Sequence, residues 1–196
     1  MIRKIIMCLF LILIFQNKIT AQRLMHGFGV TISALTGTVT SPGSTSSLAL
    51  SQTNLTYFPR YNFIENDNSS VSIGFPIGIG IGIAANTNGN DAGIAFAYDL
   101  PIVADYNIGC KSTRENDKNF GGYFGVGFGY YKVNISQSQY SDFNGATYGP
   151  MIRGGVRFSS SDESWGGHGL TIGMFYKKGM EKDKLTTIGF NVLYDL

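Results

Sequence analysis

The most constraining feature of this chain is residues 71–84, VSIGFPIGIGIGIA, in which bulky apolar residues alternate with small ones. Successive side chains of a strand point to opposite faces, so one face here would be apolar and the other nearly bare. A soluble sheet carries Lys, Glu or Thr on the face away from its core, whereas this bare face has nothing to solubilise it. The apolar face is therefore the better candidate for the outside of the fold. Its residues are Val71, Ile73, Phe75, Ile77, Ile79, Ile81 and Ile83, opposite Ser72, Gly74, Pro76, Gly78, Gly80, Gly82 and Ala84.

The length of this stretch fits a membrane. At roughly 3.3 Å per residue, residues 71–84 extend about 46 Å, and a tilt near 45° reduces this to about 33 Å, enough to cross a hydrocarbon layer. The pattern predicts a transmembrane strand. Because an open sheet edge cannot lie in lipid, the other strands must close a barrel.

The first 21 residues have the pattern of a secretory signal peptide. Arg3 and Lys4 precede an apolar run over residues 5–15, and Ala21 supplies the small residue that a signal peptidase needs. About 11 apolar residues are too few to span a bilayer as a helix. We predict a cleaved leader over residues 1–21 and one domain over residues 22–196.

Charge and cysteine content argue against a nucleic-acid binder and against a fold held by intrachain disulfides. Removing the leader takes away Arg3, Lys4 and Lys18 and no acid, so the 15 basic residues fall to 12, against 13 acidic ones. No cluster of Lys and Arg typical of a nucleic-acid binder remains, so we expect no nucleic-acid partner. Cys110 is the single cysteine outside the leader, so an intrachain disulfide framework is impossible.

Eight alternating segments follow the leader, with no helical periodicity and no linker between them. An even number places both termini on one side of a membrane, as single-chain outer-membrane barrels require. Leu48 and Leu50 have the opposite parity to the apolar row of the second strand, which predicts a bulge near residues 52–54. Four in-strand prolines, Pro59, Pro76, Pro101 and Pro150, predict local breaks in the ladder. The segments are residues 26–36, 48–64, 71–84, 93–109, 120–134, 147–158, 168–177 and about 188–196, and residues 37–47 are expected to form a loop.

The leader, the eight alternating strands, the apolar row that ends at the C-terminus and the Gly-rich segments at residues 78–82 and 125–129 resemble the small eight-stranded outer-membrane barrels of Gram-negative bacteria, the OmpA/OmpX-like porin superfamily. The resemblance implies an all-β, antiparallel, up-and-down transmembrane barrel, located in the cell outer membrane and in contact with its lipids. Leu196 departs from the pattern, because the family usually ends in an aromatic residue. We expect a monomer.

Several charged residues occupy the strand positions that alternate with the outward apolar rows, so their side chains are expected to point into the lumen. The sequence therefore predicts a charge network there. Unpaired charges in such a narrow space would cost several kcal/mol each, so pairing is expected. Counting along the strands places Arg60, Asp105, Arg153 and Asn191 in one layer, and three Arg balance three Asp. The predicted network comprises Arg60, Asp99, Asp105, Arg153, Arg157 and Asp195.

Outward aromatic residues sort into two sets near opposite strand ends, which predicts a girdle at each membrane interface. One set is Phe63, Tyr106, Phe158 and Tyr194, and the other is Phe96, Tyr130, Tyr148 and Tyr176.

The sequence predicts no enzyme, no cofactor and no metal site. The histidines, His26 and His168, have no nucleophile or acidic cluster at catalytic or metal-binding spacing. The spacing of Gly125, Gly127 and Gly129 does not match a phosphate-binding loop. Glycines are instead expected to make room for bulky inward side chains, notably Phe58 and Arg60.

The leading hypothesis is a barrel with a filled lumen and a structural or surface-interaction role, possible partners being an extracellular ligand or surface molecule. The alternative is a narrow pore for small solutes or ions, motivated by the Gly-lined rows. A lipid-modifying barrel and a soluble lipocalin-like barrel are less favoured, the first for want of a catalytic grouping and the second for want of a polar exterior.

Overall fold

The computed structural model describes residues 23–41, 44–86, 92–136, 143–159, 168–180 and 185–196. The predicted leader and its cleavage site lie outside these residues. No helix in the described ranges is long and apolar enough to cross a membrane.

Within the described residues there are nine strands: β1 Leu24–Ser41, β2 Ser44–Asn66, β3 Ser69–Gly74, β4 Ile77–Asn86, β5 Ala92–Gly109, β6 Phe120–Ser136, β7 Phe143–Ser159, β8 Gly169–Lys178 and β9 Thr186–Asp195. They form one closed antiparallel sheet in the ring order β1-β9-β8-β7-β6-β5-β3-β2, with β4 also between β2 and β5 and with β1 pairing β2. β3 and β4 are two halves of one strand of the wall, separated at Phe75 and Pro76, so the wall is eight strands wide. The predicted all-β, up-and-down barrel is confirmed.

The side-chain alternation confirms that the apolar rows face outward. Ile79, Ile81 and Ile83 are 50%, 64% and 67% exposed, while Gly78 and Gly80, on either side of Ile79, are buried. Inward positions elsewhere hold polar and charged side chains that are almost fully buried. The barrel is thus inside-out relative to a soluble sheet, as residues 71–84 predict.

The strands are strongly staggered. A single row of paired residues that starts at Gly121 of β6 returns to β6 at Tyr131, ten residues further along the strand. For eight strands this stagger corresponds to a tilt of about 40°. The row passes through Arg157, Thr171, Leu193, Gly29, Thr56, Gly78 and Asp99.

The predicted bulge at residues 52–54 is wrong. β2 pairs with β4 without interruption from Leu48↔Asn86 to Tyr57↔Ile77, and Leu50 points inward, 2% exposed. Its parity differs from the apolar row because it packs inside the barrel, in a cluster with Leu35 and Ala84. The register shift in β2 lies instead between Asn62 and Ile64.

The predicted loop at residues 37–47 is also wrong. β1 continues to Ser41, β2 begins at Ser44, and the two are paired to that end. Thr is a favourable strand residue, and the hairpin partner supplies the hydrogen bonds that a short isolated segment would lack.

Candidate functional site in the barrel interior

The end of the barrel near Leu24 and Leu196 is called the terminal end, and the end near Ser41, Asn86, Ser136 and Lys178 the far end. β2, β3, β5 and β7 bring polar inward residues to the terminal end. After Gly109 the chain turns, with positive φ at Gly109 (71°) and Lys111 (54°). Residues 110–112 are thereby folded against the barrel mouth, where all three are buried.

Side-chain donors from three strands hold this mouth turn, residues 110–112, by its carbonyl oxygens. Arg60 Nη2 donates to the Lys111 oxygen at 2.8 Å, and Arg157 Nη1 approaches the same oxygen at 3.5 Å. Asn62 Nδ2 and the Ser70 hydroxyl donate to the Ser112 oxygen at 2.9 and 2.5 Å. Arg157 Nη1 donates its shorter bond, of 2.8 Å, to Asn107 Oδ1. Two of the predicted network residues, Arg60 and Arg157, therefore hydrogen-bond to backbone or amide oxygens rather than to carboxylates.

Burial changes the acid–base properties of the mouth turn. It lowers the pKa of the Lys111 ammonium, an effect opposed by the carboxylate of Asp195. It raises the pKa of the Cys110 thiol, opposed chiefly by the Lys111 charge. Both shifts favour the uncharged form, as desolvation does for any ionisable group.

Arg153 and Asp105 form the central ion pair, with Nε 3.6 Å from Oδ1 and both side chains buried. Both residues pair with Gly125 of β6, where a Cβ would collide with Oδ1 of Asp105. The Arg153 guanidinium lies between two rings, 4.5 Å from the centroid of Phe58 and 4.8 Å from that of Tyr123. Cation–π contact adds to the ion pair where the group is removed from water.

Asp99 lies closer to the far end and pairs with Lys177, which is not among the six residues of the predicted network. The Lys177 ammonium is also 5.6 Å from the ring centroid of Tyr131, whose hydroxyl donates to Gln52 Oε1 at 2.6 Å. On β8, Lys177 follows the outward Tyr176, so the alternation places its side chain inside the barrel. This alternation could have identified Lys177 as a member of the interior network.

Asp195 accepts a hydrogen bond from the Thr171 hydroxyl. The six predicted network residues are thus inside the barrel but are divided among the mouth turn, the Arg153–Asp105 pair, the Asp99–Lys177 pair and Asp195. The predicted balance of three Arg and three Asp is wrong, because Lys111 and Lys177 are also buried in the interior.

Apolar residues separate these polar groups. Phe58, Val103, Met151, Phe175 and Leu193 form a cluster in the middle of the barrel. A second cluster fills the far end: Leu35, Leu50, Ala84, Ala95, Ala97, Tyr131, Val133 and Ile135. Glycines make room as predicted for Phe58, since a Cβ at Gly74 would collide with its ring.

The eight predicted girdle residues all lie on the outer surface, 39–52% exposed. Phe158 and Tyr194 both pair with Leu170 of β8 from opposite sides, and Tyr130 pairs with Tyr148. Other outward aromatic residues, such as Phe75 and Phe190, lie outside the two sets. Division into two girdles stays a prediction.

The histidines contact outward tyrosines. His26 Nδ1 is 2.6 Å from the Tyr57 hydroxyl, and His168 lies 5.2 Å from Tyr194 between ring centroids. Within the described ranges, no three His, Cys, Asp or Glu side chains are grouped as metal ligands would be.

Comparison with known proteins places the fold. No protein-family model matches the chain, and no curated protein matches it. The structure of the outer membrane protein OprG from Pseudomonas aeruginosa is similar, with a TM-score of 0.51 at 9% identity, covering 88% of this chain and 94% of that one.

Two further solved structures align over 88% of this chain. Neisserial surface protein A has a TM-score of 0.48 at 10% identity, with 96% of that chain covered. Ail, the attachment invasion locus protein of Yersinia pestis, has a TM-score of 0.42 at 14% identity, with 97% covered. This chain has the fold of the small bacterial outer-membrane barrels, as the resemblance predicted.

Proposed function

We propose that this chain is an integral outer-membrane protein that presents the far end of its barrel at the cell surface, interacts there with an extended segment of a partner protein, and is neither an enzyme nor a conducting pore. The membrane location is supported by the outer wall. Its exposed residues are mostly Ile, Val, Leu, Phe and Tyr, which water would not solvate and lipid does.

The observation that carries the surface role is that some strands extend further than their neighbours at the far end. β1 pairs with β9 only as far as Thr36, yet it continues to Ser41. β7 begins at Phe143, its described pairs with β8 begin at Met151, and one further backbone bond, from Met180 N to Tyr148 O at 2.9 Å, lies beyond those pairs. In the described part of the chain, β1 over residues 37–41 and β7 over residues 143–147 thus each have one backbone edge without a neighbouring strand.

Unpaired strand edges accept a further strand. Their N–H and C=O groups are a template on which an extended peptide adds main-chain hydrogen bonds. Between the two edges, the described pairs of β8 and β9 end at Lys178↔Thr186, so in the described residues β1 and β7 extend beyond the β8–β9 pairing. A partner in extended conformation fits such an edge better than a globular ligand does.

Surface presentation is tested with cysteine chemistry. Cys110 is buried in the mouth turn, so the parent protein provides a low background. We expect a Thr40→Cys variant on intact cells to react with a membrane-impermeant maleimide, and the parent protein to remain unlabelled. Labelling of Thr40→Cys only after the cells are broken would place the far end in the periplasm and overturn the proposal.

The interaction is tested with an array of extended, β-branched decapeptides and the purified protein in nanodiscs. A variant lacking residues 38–47, the outer part of the β1–β2 hairpin, is expected to lose most binding while keeping heat-modifiable migration on gels. Unchanged binding by this variant, together with unchanged binding after trimming of residues 137–144, would disprove the edge as the interaction surface.

A narrow pore is the second candidate, and the charges of the interior predict its selectivity. The described interior holds five basic side chains, Arg60, Lys111, Arg153, Arg157 and Lys177, against three acidic ones, Asp99, Asp105 and Asp195. If the interior conducts, this excess predicts selectivity for anions. Planar-bilayer recording separates the candidates, since reproducible anion-selective steps would replace the non-conducting proposal.

A further inference from the structure

The interior carboxylates in the described part of the chain each have a basic side chain as an electrostatic partner. The partnerships are Arg153–Asp105, Lys177–Asp99 and Lys111–Asp195, of which the first two are ion pairs. They involve three of the five buried basic side chains. However the three negative charges are shared among the five positive ones, two positive charges remain without compensation.

The two remaining cations, Arg60 and Arg157, lie side by side under the mouth turn. Arg60 Nη2 is 2.8 Å and Arg157 Nη1 is 3.5 Å from the same atom, the Lys111 carbonyl oxygen. The two nitrogens therefore cannot be further apart than the sum of these distances. Neither guanidinium forms an ion pair within the described ranges, and the side chains are 2% and 0% exposed. Two like charges are thus held close together and away from water.

This arrangement of charges is unfavourable by itself. Two positive charges repel each other, and more strongly in surroundings of low dielectric constant than in water. Each guanidinium has also lost its hydration, which a counter-charge and hydrogen bonds to its N–H groups must replace. The Lys111 carbonyl oxygen and Asn107 Oδ1 accept hydrogen bonds but bring no negative charge. An anion would supply both the charge and the acceptor.

Both side chains have donors available for an anion. Arg60 Nη1 and Arg157 Nε and Nη2 are buried and have no hydrogen-bond partner within the protein. They belong to the two guanidiniums that share the Lys111 oxygen, so one anion can lie within reach of both. The Ser112 hydroxyl, in the same turn, is also buried without a partner. Water could accept from these groups, but a neutral molecule would leave the charge uncompensated.

The surroundings restrict the anion to a small one. The Arg157 guanidinium lies 4.7 Å from the ring centroid of Tyr123, and Arg60 Nη2 lies 3.5 Å from Met25 Sδ. The mouth turn, whose three residues are all buried, covers the terminal end. An organic anion would have to displace these side chains. A monatomic anion would not, and it accepts hydrogen bonds from any direction.

We propose that Arg60 and Arg157 form a binding site for one chloride ion, enclosed between the mouth turn and the apolar cluster in the middle of the barrel. The ion accepts hydrogen bonds from both guanidiniums and compensates one of the two excess charges. This site does not depend on the surface role of the far end. It also differs from a conducting path, because a bound ion stabilises the fold whether or not ions pass through the barrel.

The first test measures stability against chloride concentration. The protein folded in lipid vesicles is unfolded with urea in mixtures of sodium chloride and sodium gluconate at constant ionic strength, which keeps screening constant. Gluconate is an organic anion and serves as the non-binding control. The ratio of folded to unfolded protein should rise with chloride, approaching about tenfold for each tenfold increase above the Kd. Equal stability in both salts would overturn the proposal and leave the two guanidiniums to water.

Matched variants assign the chloride dependence to the two arginines. Arg157→Gln and Arg60→Gln each remove one positive charge while keeping an amide donor, and each is expected to abolish most of the dependence. Arg23→Gln removes an arginine from the terminal-end surface, where it pairs with Glu65, and should retain all of it. Heat-modifiable migration checks the folding of each variant. Full chloride dependence in either interior variant, once folded, would place the ion elsewhere and contradict the proposal.

Crystals of the parent protein grown in sodium bromide test the position directly, whether or not the variants fold. Bromide is a chemical substitute for chloride, and its anomalous scattering distinguishes it from water. An anomalous peak is expected within hydrogen-bond distance of Arg60 Nη1 and of Arg157 Nε or Nη2. No peak at this position would overturn the proposal, and peaks confined to surface residues would indicate an adventitious ion only.

Discussion

At the terminal end, the interior is occupied by a backbone turn whose carbonyls accept hydrogen bonds from Arg60, Arg157, Asn62 and Ser70. At the far end, it is packed with apolar side chains such as Leu35, Leu50 and Val133. The first arrangement depends on each partner, because a buried polar group left alone costs its full desolvation. The second depends on volume, and its losses scale with the atoms removed. One barrel interior thus combines two kinds of stabilisation that respond differently to substitution.

The largest effect is expected from breaking the central ion pair. Asp105→Leu leaves the Arg153 guanidinium buried beside an apolar side chain and should lower the free energy of unfolding by about 3–5 kcal/mol. Urea titration of the protein folded in lipid vesicles measures it. The double variant Asp105→Leu/Arg153→Leu should be more stable than the single one, and equal loss in both would show that the pair is not coupled.

Substitutions at the far end should lower the free energy of unfolding as they do in an apolar core. Leu50→Ala, at a position 2% exposed, is expected to cost about 2–4 kcal/mol from lost transfer energy and the cavity left behind. Leu50→Met, which conserves volume, should cost less than about 1.5 kcal/mol. If Leu50→Ala is as stable as the parent protein, the far end is not packed as described.

A smaller effect is expected at the mouth turn. Asn62→Ala removes one donor to the Ser112 carbonyl and the bond from Asn62 Nδ2 to Glu65 Oε1 at 2.8 Å, but leaves the Ser70 hydroxyl on the Ser112 oxygen. The expected loss is about 2 kcal/mol, the usual net contribution of two hydrogen bonds. Asn62→Ala/Ser70→Ala should lose more than the sum of the two single variants, because the carbonyl then has neither donor.

The smallest effect concerns pH. Burial lowers the pKa of Lys111 below its ordinary value of 10.5, so the folded state binds fewer protons than the unfolded state in the alkaline range. Stability should therefore rise with pH between the lowered pKa and 10.5. Lys111→Met should remove this increment, measured as the difference between the two unfolding free energies across pH 8 to 11. An identical pH dependence in both proteins would contradict it.

Alternation alone was sufficient to predict eight strands and their outward apolar rows, because side-chain direction along a strand has a fixed period of two. It also gave the inward parity of Arg60, Asp105 and Arg153. It failed at Leu50, which lies on the opposite face from the apolar row of β2. The sequence pattern alone does not distinguish a bulge from an apolar side chain packed inside the barrel.

Pairing inside the barrel depends on stagger and on turns. The ten-residue stagger sets which inward residues of distant strands share a level, so Asp99 meets Lys177 rather than an arginine. The mouth turn at residues 110–112 reads as a charged surface loop, yet tertiary contacts bury it.

The sequence by itself determined the membrane-spanning, inside-out barrel, because a period of two and the apolarity of its rows are local properties. Only the tertiary structure decided the interior partners, the mouth turn and the break between β3 and β4 at Phe75 and Pro76. These depend on how far each strand slides against its neighbours, and that displacement is fixed only when the ring closes.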